Sequence, residues 1–284
     1  MPLVKTSDII KRAQAHNTSV FSVICIDFNT IYGCIRAAEE TKTPVLVQFL
    51  PEHANDNRAM NIEGFAGIAK KLAAEVEVPI GLHLDHCYTY EEIRRAADAG
   101  YSSVMYDGST FPFEENAART REIVDKMHAR GVWVEGEIGH VGLAAEGSDC
   151  DEDLYTQPEA AARFAKESGV DMLAIAIGNA HGFYKGIPHL DIKRLDAIRE
   201  ATNGLPLVLH GGSGIPGDQL EVAFARGINK FNYGTNYLAA YYRAIRQFIL
   251  ETQDQMHPNI LNMYMPAQEA LVAHMKDRYA LCKF

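Results

Sequence analysis

The chain has 284 residues, 47% hydrophobic and 23% charged, which is enough to bury a sizeable core and excludes disordered and fibrous classes. A formal net charge of −10 argues against nucleic acid as a partner, because phosphate backbones are held by dense Lys/Arg surfaces. No apolar run is long enough to cross a bilayer and the N-terminal stretch MPLVKTSDIIKRAQAHN lacks the apolar core of a secretory signal, so a cytoplasmic protein without a membrane partner is expected.

Short β-branched or apolar runs alternate with longer segments of helical periodicity, the pattern of a parallel sheet with crossover helices. In chain order the strands are expected at Ser19 to Ile24, Pro44 to Phe49, Pro79 to Leu84, Ser102 to Asp107, Trp133 to Ile138, Met172 to Ile177, Leu205 to His210 and Lys230 to Tyr233. Helical segments between them include Thr89 to Gly100, Glu114 to Arg130, Gln157 to Ser168 and Asp218 to Gly227, each ending at or just before a glycine. Eight evenly spaced βα units favour closure into a (β/α)8 barrel of the α/β class; an open doubly wound sheet is the alternative. No linker divides the chain, so one domain over residues 1–284 is expected, with a loop and a terminal helix added from Asp254 onward. The five cysteines have no CxxC spacing, and neither a disulfide framework nor a cysteine metal site is indicated.

In such barrels the chemistry gathers at the C-terminal ends of the strands. Strand three ends in His83-Leu84-Asp85-His86, strand five in Glu135-Gly136-Glu137, strand six runs into Gly178-Asn179-Ala180-His181-Gly182, and strand seven ends at His210. Three imidazoles, His86, His181 and His210, offered from three strand ends suit a borderline divalent metal such as Zn²⁺ and leave positions open for substrate oxygens. Period-two alternation puts His83 on the face of Asp85 but deeper, in a packing or supporting role. Asp85 is placed to exchange a proton with a substrate hydroxyl, or to orient a histidine ligand. Glu135 and Glu137 face the same side of strand five, which is expensive without a nearby cation, so one of them is expected to approach the metal.

Two glycine-rich stretches, His210-Gly-Gly-Ser-Gly-Ile-Pro and Asn232-Tyr-Gly-Thr235, each lead into a helical run. Their small residues let backbone amides reach an anion at a helix N-terminus, and loops after strands seven and eight form the usual phosphate site of this fold. Tight turns are the simpler explanation for any one of these glycines taken singly.

The blocks HLDH, SSVMYDGS, NAARTREIV, VEGEIG, YTQPEAAARF, GVDMLAIAIGNAHGFYK, LPLVLHGGSGIP and GINKFNYGT together resemble the class II fructose-bisphosphate and tagatose-bisphosphate aldolase family, in order from about residue 10 to residue 245. The resemblance implies cleavage of a phosphorylated ketose to dihydroxyacetone phosphate and an aldehyde. It implies a divalent metal, normally zinc, on His86, His181 and His210, with Glu137 able to approach it in an alternate site. It further implies that Asp85 handles the C4 hydroxyl proton and that Asn232 contacts the enediolate. Gly182, Gly211, Ser213, Gly234 and Thr235 would hold the phosphate, with Lys185 in the same loop as Gly182 and a monovalent cation often present. Relatives are homodimers or homotetramers, which makes Tyr237, Tyr241 and Tyr242 interface candidates.

Three features depart from that pattern. Leu50 stands where relatives that accept a six-phosphate commonly place a serine, and the stretch beginning at Ser22 replaces an asparagine-rich one. In the loop after strand five the acid expected to move the C3 proton is displaced by one position, which makes Glu146 the candidate. The distal group is therefore either a phosphate held by His53, Arg58 or Arg278, or something else, such as a sulfonate, a carboxylate or a hydroxyl. Two rival functions also fit the residues: a metal-dependent epimerase or other lyase using the same enediolate chemistry, and a non-catalytic sugar-phosphate binder.

Overall fold

A computed structural model describes residues 3–53, 60–139, 141–144 and 154–284. Eight parallel strands close on themselves in sequence order. They are β1 (Val20–Ile24), β2 (Val45–Phe49), β3 (Ile80–Cys87), β4 (Ser103–Tyr106), β5 (Trp133–Ile138), β6 (Met172–Ile175), β7 (Leu207–Leu209) and β8 (Ile228–Tyr233). The (β/α)8 barrel expected from the alternating pattern is the observed architecture, and the open sheet is excluded by the pairing of β1 with β8.

Alternation along each strand divides the core in two. Residues such as Phe21, Val23, Val47, Leu82, Val104, Ile175, Leu209 and Phe231 point outward and pack beneath the helices. Inward-pointing Val20, Leu46, Met172, Ala174 and Val208 form an apolar plug together with Ile9 and Ile10 of the N-terminal helix α1 (Thr6–Ala15). Above that plug the inward positions turn polar: Ser22, Gln48, His83, Asp85, Glu135, Glu137, Lys230 and Asn232 are all buried. One end of the barrel is thus a packed base and the other a polar floor.

Around the barrel run α2 (Phe28–Thr41), α3 (Ile62–Ala73), α4 (Tyr90–Asp98), α5 (Phe113–His128), α6 (Pro158–Ser168), α7 (Ile192–Ala201), α8 (Gly217–Ala225), α9 (Thr235–Thr252) and α10 (Tyr264–Tyr279). Local chemistry fixes their ends. Asp27 and Thr30 form a reciprocal capping box that starts α2. Pro158 opens α6 and Gly169, in the left-handed region at φ 71°, closes it. The C-terminal extension is α10, which packs along α2 and α9 outside the barrel wall. None of the helices in the described residues is long and apolar enough to span a membrane.

Strands six and seven stop earlier than the apolar runs suggest. Ile177 N–H donates to the side chain of Asn179 instead of to the sheet, and Gly178 turns the chain at φ 101°. The Asn179 amide then donates to the carbonyls of Ile175 and His210, tying the two strand ends together.

Candidate active site

His86 reaches the barrel mouth by a distortion of β3. The pairing of β3 with β4 shifts register between Leu84 and Cys87, and His86 takes a left-handed backbone at φ 40°, unusual for a residue with a Cβ. His181 lies in the loop after β6, where its N–H donates to Gly142 O (2.8 Å) and its carbonyl accepts from Ala144 N (2.9 Å). His210 follows the last residue of β7 and is fully buried. The three rings meet edge to face, with centroids 4.8 Å (His86 to His210), 5.3 Å (His86 to His181) and 5.7 Å (His181 to His210) apart.

One ring nitrogen from each histidine lies within 4.8 Å of the other two. His86 Nε2 and His210 Nδ1 are buried without a hydrogen-bond partner, as is Glu137 Oε2, which lies 3.6 Å from His210 Nδ1. The opposite nitrogens are anchored: His86 Nδ1 is 2.8 Å from Asp107 Oδ2, and His210 Nε2 is 2.8 Å from Glu135 Oε1. Orphaned nitrogens facing one point, each on a ring fixed from behind by a carboxylate, are the arrangement expected of a divalent-metal cradle. The residues therefore fit a metal.

The field at that point is negative. Burial alone would pull His86 down, but Asp85, Asp107 and Glu137 outweigh it and push the imidazole up to about 10. Burial, reinforced by Asp107, pushes Glu137 up to about 8. Burial and the charge of His86 hold His210 well below the ordinary imidazole range. A dication placed among these groups would relieve the cost of crowding the carboxylates.

Asp85 stands beside His86 with both oxygens engaged. Gln48 Nε2 donates to Oδ2 at 2.6 Å and Asn232 Nδ2 donates to Oδ1 at 3.1 Å. Gln48 is held in turn by Ser22 Oγ. Ser22 was expected in the distal pocket; it is instead fully buried on the floor, where it orients Gln48, because its inward position on β1 lies below the mouth. Lys230 donates to Asn232 Oδ1 at 2.7 Å and sits 2.9 Å from Glu135 Oε2, so the buried lysine is paired with Glu135 on the floor.

Gly182, Gly211, Ser213, Asn232, Gly234 and Thr235 line a narrow pocket of about 60 Å³ that also touches Asp85, His86 and His181. Ser213 Oγ accepts from Asn236 N–H in the first turn of α9. Gly211 sits at φ 64°, and a Cβ there would stand 2.1 Å from Ala180 O, so the close approach of the loops after β6 and β7 requires glycine. Tyr184 bridges the same loops, accepting from Ala180 N–H and donating to Gly211 O.

A larger cleft of about 970 Å³ opens outward from His86, His181 and Glu137. Leu50 and His53 line it. Lys185 and Arg278 do not: Lys185 is exposed, and Arg278 lies outside the barrel on α10, where its charge acts on Tyr233 and His274. Glu146 and Arg58 lie outside the described residues. Tyr237 is buried at 0% exposure and donates to Thr30 O, which removes it as a surface interface residue. Tyr241 is half-buried and donates to Asp27, whereas Tyr242, 64% exposed, edges the cleft. Three supporting residues had gone without a role: Gln48, Asp107 and Tyr184. Asp107 carried a usable signal, since it ends the fourth expected strand as the histidines end theirs.

Fold and site together define a (β/α)8 barrel with a three-histidine, carboxylate-flanked cradle at its mouth. The family described as fructose-bisphosphate aldolase class-II is matched over residues 4–284. The fructose-bisphosphate aldolase of Geobacillus stearothermophilus is 34% identical over 96% of this chain and 94% of its own. That of Staphylococcus aureus strain MW2 is 33% identical over 98% and 96%. Among solved structures, the YdjI aldolase from Escherichia coli K12 superposes with a TM-score of 0.85 at 32% identity, covering 99% of this chain and 97% of that one. A putative fructose-1,6-bisphosphate aldolase from Coccidioides immitis gives 0.84 at 28%, covering 98% and 96%. The chain belongs to the class-II fructose-bisphosphate aldolase family, and it is an enzyme of the lyase class.

Proposed function

We propose that the enzyme, as one aldolase domain, reversibly cleaves a ketose 1-phosphate to dihydroxyacetone phosphate and an aldehyde. The observation that carries this reading is the pairing of Asp85 with the orphaned histidine nitrogens at the edge of the small-residue pocket. His86, His181 and His210 would hold the divalent metal, with zinc the best match to three imidazoles, and Glu137 supplies a further oxygen nearby. Bound there, the metal supplies Lewis acidity that stabilises the negative charge left on the three-carbon fragment.

Asp85, oriented by Gln48 and Asn232, takes the proton of the C4 hydroxyl. The C3–C4 bond breaks, C4 becomes the aldehyde carbonyl, and the electron pair stays on C3, which then needs a proton. Glu146 is the candidate donor. The amides of Gly211 to Ser213 and the N-terminus of α9 bind the phosphate, which a monovalent cation would accompany. Lys185, exposed and outside this pocket's lining, is not assigned to the phosphate. A lysine-based mechanism is disfavoured because Lys230, the inward lysine of β8, is committed to Asn232 and Glu135.

The epimerase alternative is less favoured, since Asp85 lines the phosphate-side pocket with both oxygens held by Gln48 and Asn232 rather than standing free in the cleft. The four described cysteines are free thiols, which suits a cytoplasmic setting, and a homodimer or homotetramer is the expected assembly. The test is release of dihydroxyacetone phosphate from ketose 1-phosphates, followed with a coupled dehydrogenase. Activity abolished by a chelator and restored by Zn²⁺ is the expected result; metal-replete enzyme that epimerises without cleaving would overturn the reading.

A further inference from the structure

The outer cleft says which aldehyde such an enzyme releases. Resting on the aldolase reading, we propose that the substrate carries an uncharged, hydroxylated chain at the end remote from its phosphate, so that the product is a neutral hydroxyaldehyde rather than a phosphorylated one.

The two pockets differ in kind. The phosphate pocket is about 60 Å³, with Gly211, Gly212 and Ser213 on its own side, and it shares Leu50, His86, His181 and Thr235 with the cleft of about 970 Å³ that opens beyond it. That volume lies at the upper end for small-molecule sites and suits a chain longer than three carbons. Its wall is largely apolar: Leu50, Leu143, Leu238, Tyr88, Phe183 and Tyr242. Tyr88, Phe183 and Tyr242 stand 51%, 63% and 64% exposed, offering ring surface on which the C–H faces of a polyol can pack.

Charge separates the candidates further. Among the described residues no lysine or arginine lines the cleft, and Glu52 is its carboxylate outside the histidine cradle. A distal phosphate or carboxylate entering this wall would lose water without gaining a cationic partner. Hydroxyl groups find partners in Glu52, His53, Ser109 and Thr110. In sequence Arg58 lies five positions after His53, Lys185 two after Phe183 and Arg243 directly after Tyr242.

The experiment uses metal-loaded enzyme in the condensation direction. Dihydroxyacetone phosphate is offered with D-erythrose or D-erythrose 4-phosphate, and with D-glyceraldehyde or its 3-phosphate. Exchange of the hydroxymethyl proton of dihydroxyacetone phosphate into D₂O, without any aldehyde, runs alongside as a measure of the aldolase half-reaction alone. The expected result is a kcat/KM about tenfold or more higher for each uncharged aldehyde, the scale of one unpartnered charged group. Tyr242→Ala should raise KM for erythrose several-fold with kcat retained and glyceraldehyde unaffected. Glu52→Arg should improve the phosphorylated aldehydes by about threefold, as an added surface cation would. Proton exchange together with a preference for the phosphorylated aldehydes overturns the inference and leaves the aldolase reading intact; loss of that preference in Arg58→Ala would then assign the phosphate to Arg58. Absence of exchange overturns both.

Discussion

His86 faces Asp107 at 2.8 Å through Nδ1, while its Nε2 is buried with no hydrogen-bond partner. The carboxylate fixes which nitrogen carries the proton and therefore which one is free to bind a metal. Asp107→Asn keeps the shape but removes the charge, and zinc affinity should fall about 10- to 100-fold, measured by competition with a chromophoric chelator. An unchanged affinity would mean that Asp107 only packs against the ring.

Gln48 connects Ser22 to Asp85 and fixes one carboxylate oxygen at 2.6 Å. Replacing it with leucine frees Asp85 to rotate, so kcat for cleavage should drop about tenfold while zinc content stays at the wild-type value. Ser22→Ala should produce a smaller drop in the same direction. A loss of bound metal in either variant would place the network on the metal rather than on Asp85.

These two floor residues show where the sequence is informative and where it is silent. Alternation correctly turns Ser22 and Gln48 inward, but their height in the barrel depends on strand stagger, which no local pattern records. Ser22 therefore read as a distal-pocket residue although it lies beneath Asp85. The strand-end rule served better: His86, His181 and His210 all flank strand ends, and the structure brings them together. Arg278 could not be placed from sequence because the course of the extension after α9 sets which face of α10 meets the barrel, and that face carries it toward Tyr233. The β3 bulge that aims His86 is also invisible, since the apolar run ends at Leu84, where the register shift begins.

Gly211 joins a left-handed backbone to a contact that leaves no space for a side chain. Gly211→Ala should cost roughly 1–3 kcal/mol of stability in urea unfolding. Because the strain falls on the phosphate pocket, KM for the ketose 1-phosphate should rise more than kcat falls. The reverse split would detach this loop from phosphate binding.

The crowded carboxylates give the metal-free protein a pH dependence whose sign is fixed by two groups. His86, raised from 6.5 to about 10, contributes stability that is present below its ordinary range and lost as pH climbs through 10. Glu137, raised from 4.5 to about 8, favours its protonated form in the fold, so its contribution also fades as pH rises toward 8. Metal-free protein should thus lose thermal stability from about pH 4.5 to about 10, most steeply between 6.5 and about 8 where both groups titrate, while the stabilisation given by zinc grows over the same window as both protons leave. Calorimetry with and without zinc measures both trends, and parallel curves would refute the linkage.

The most direct test of the central claim is a zinc titration of the metal-free enzyme, read as NMR-detected exchange of the hydroxymethyl proton of dihydroxyacetone phosphate into D₂O. If His86, His181 and His210 form the working centre, exchange rises linearly and saturates at about one zinc per chain, and His210→Ala shows no rise. Exchange that is already maximal without metal, or that survives in His210→Ala, would contradict the account.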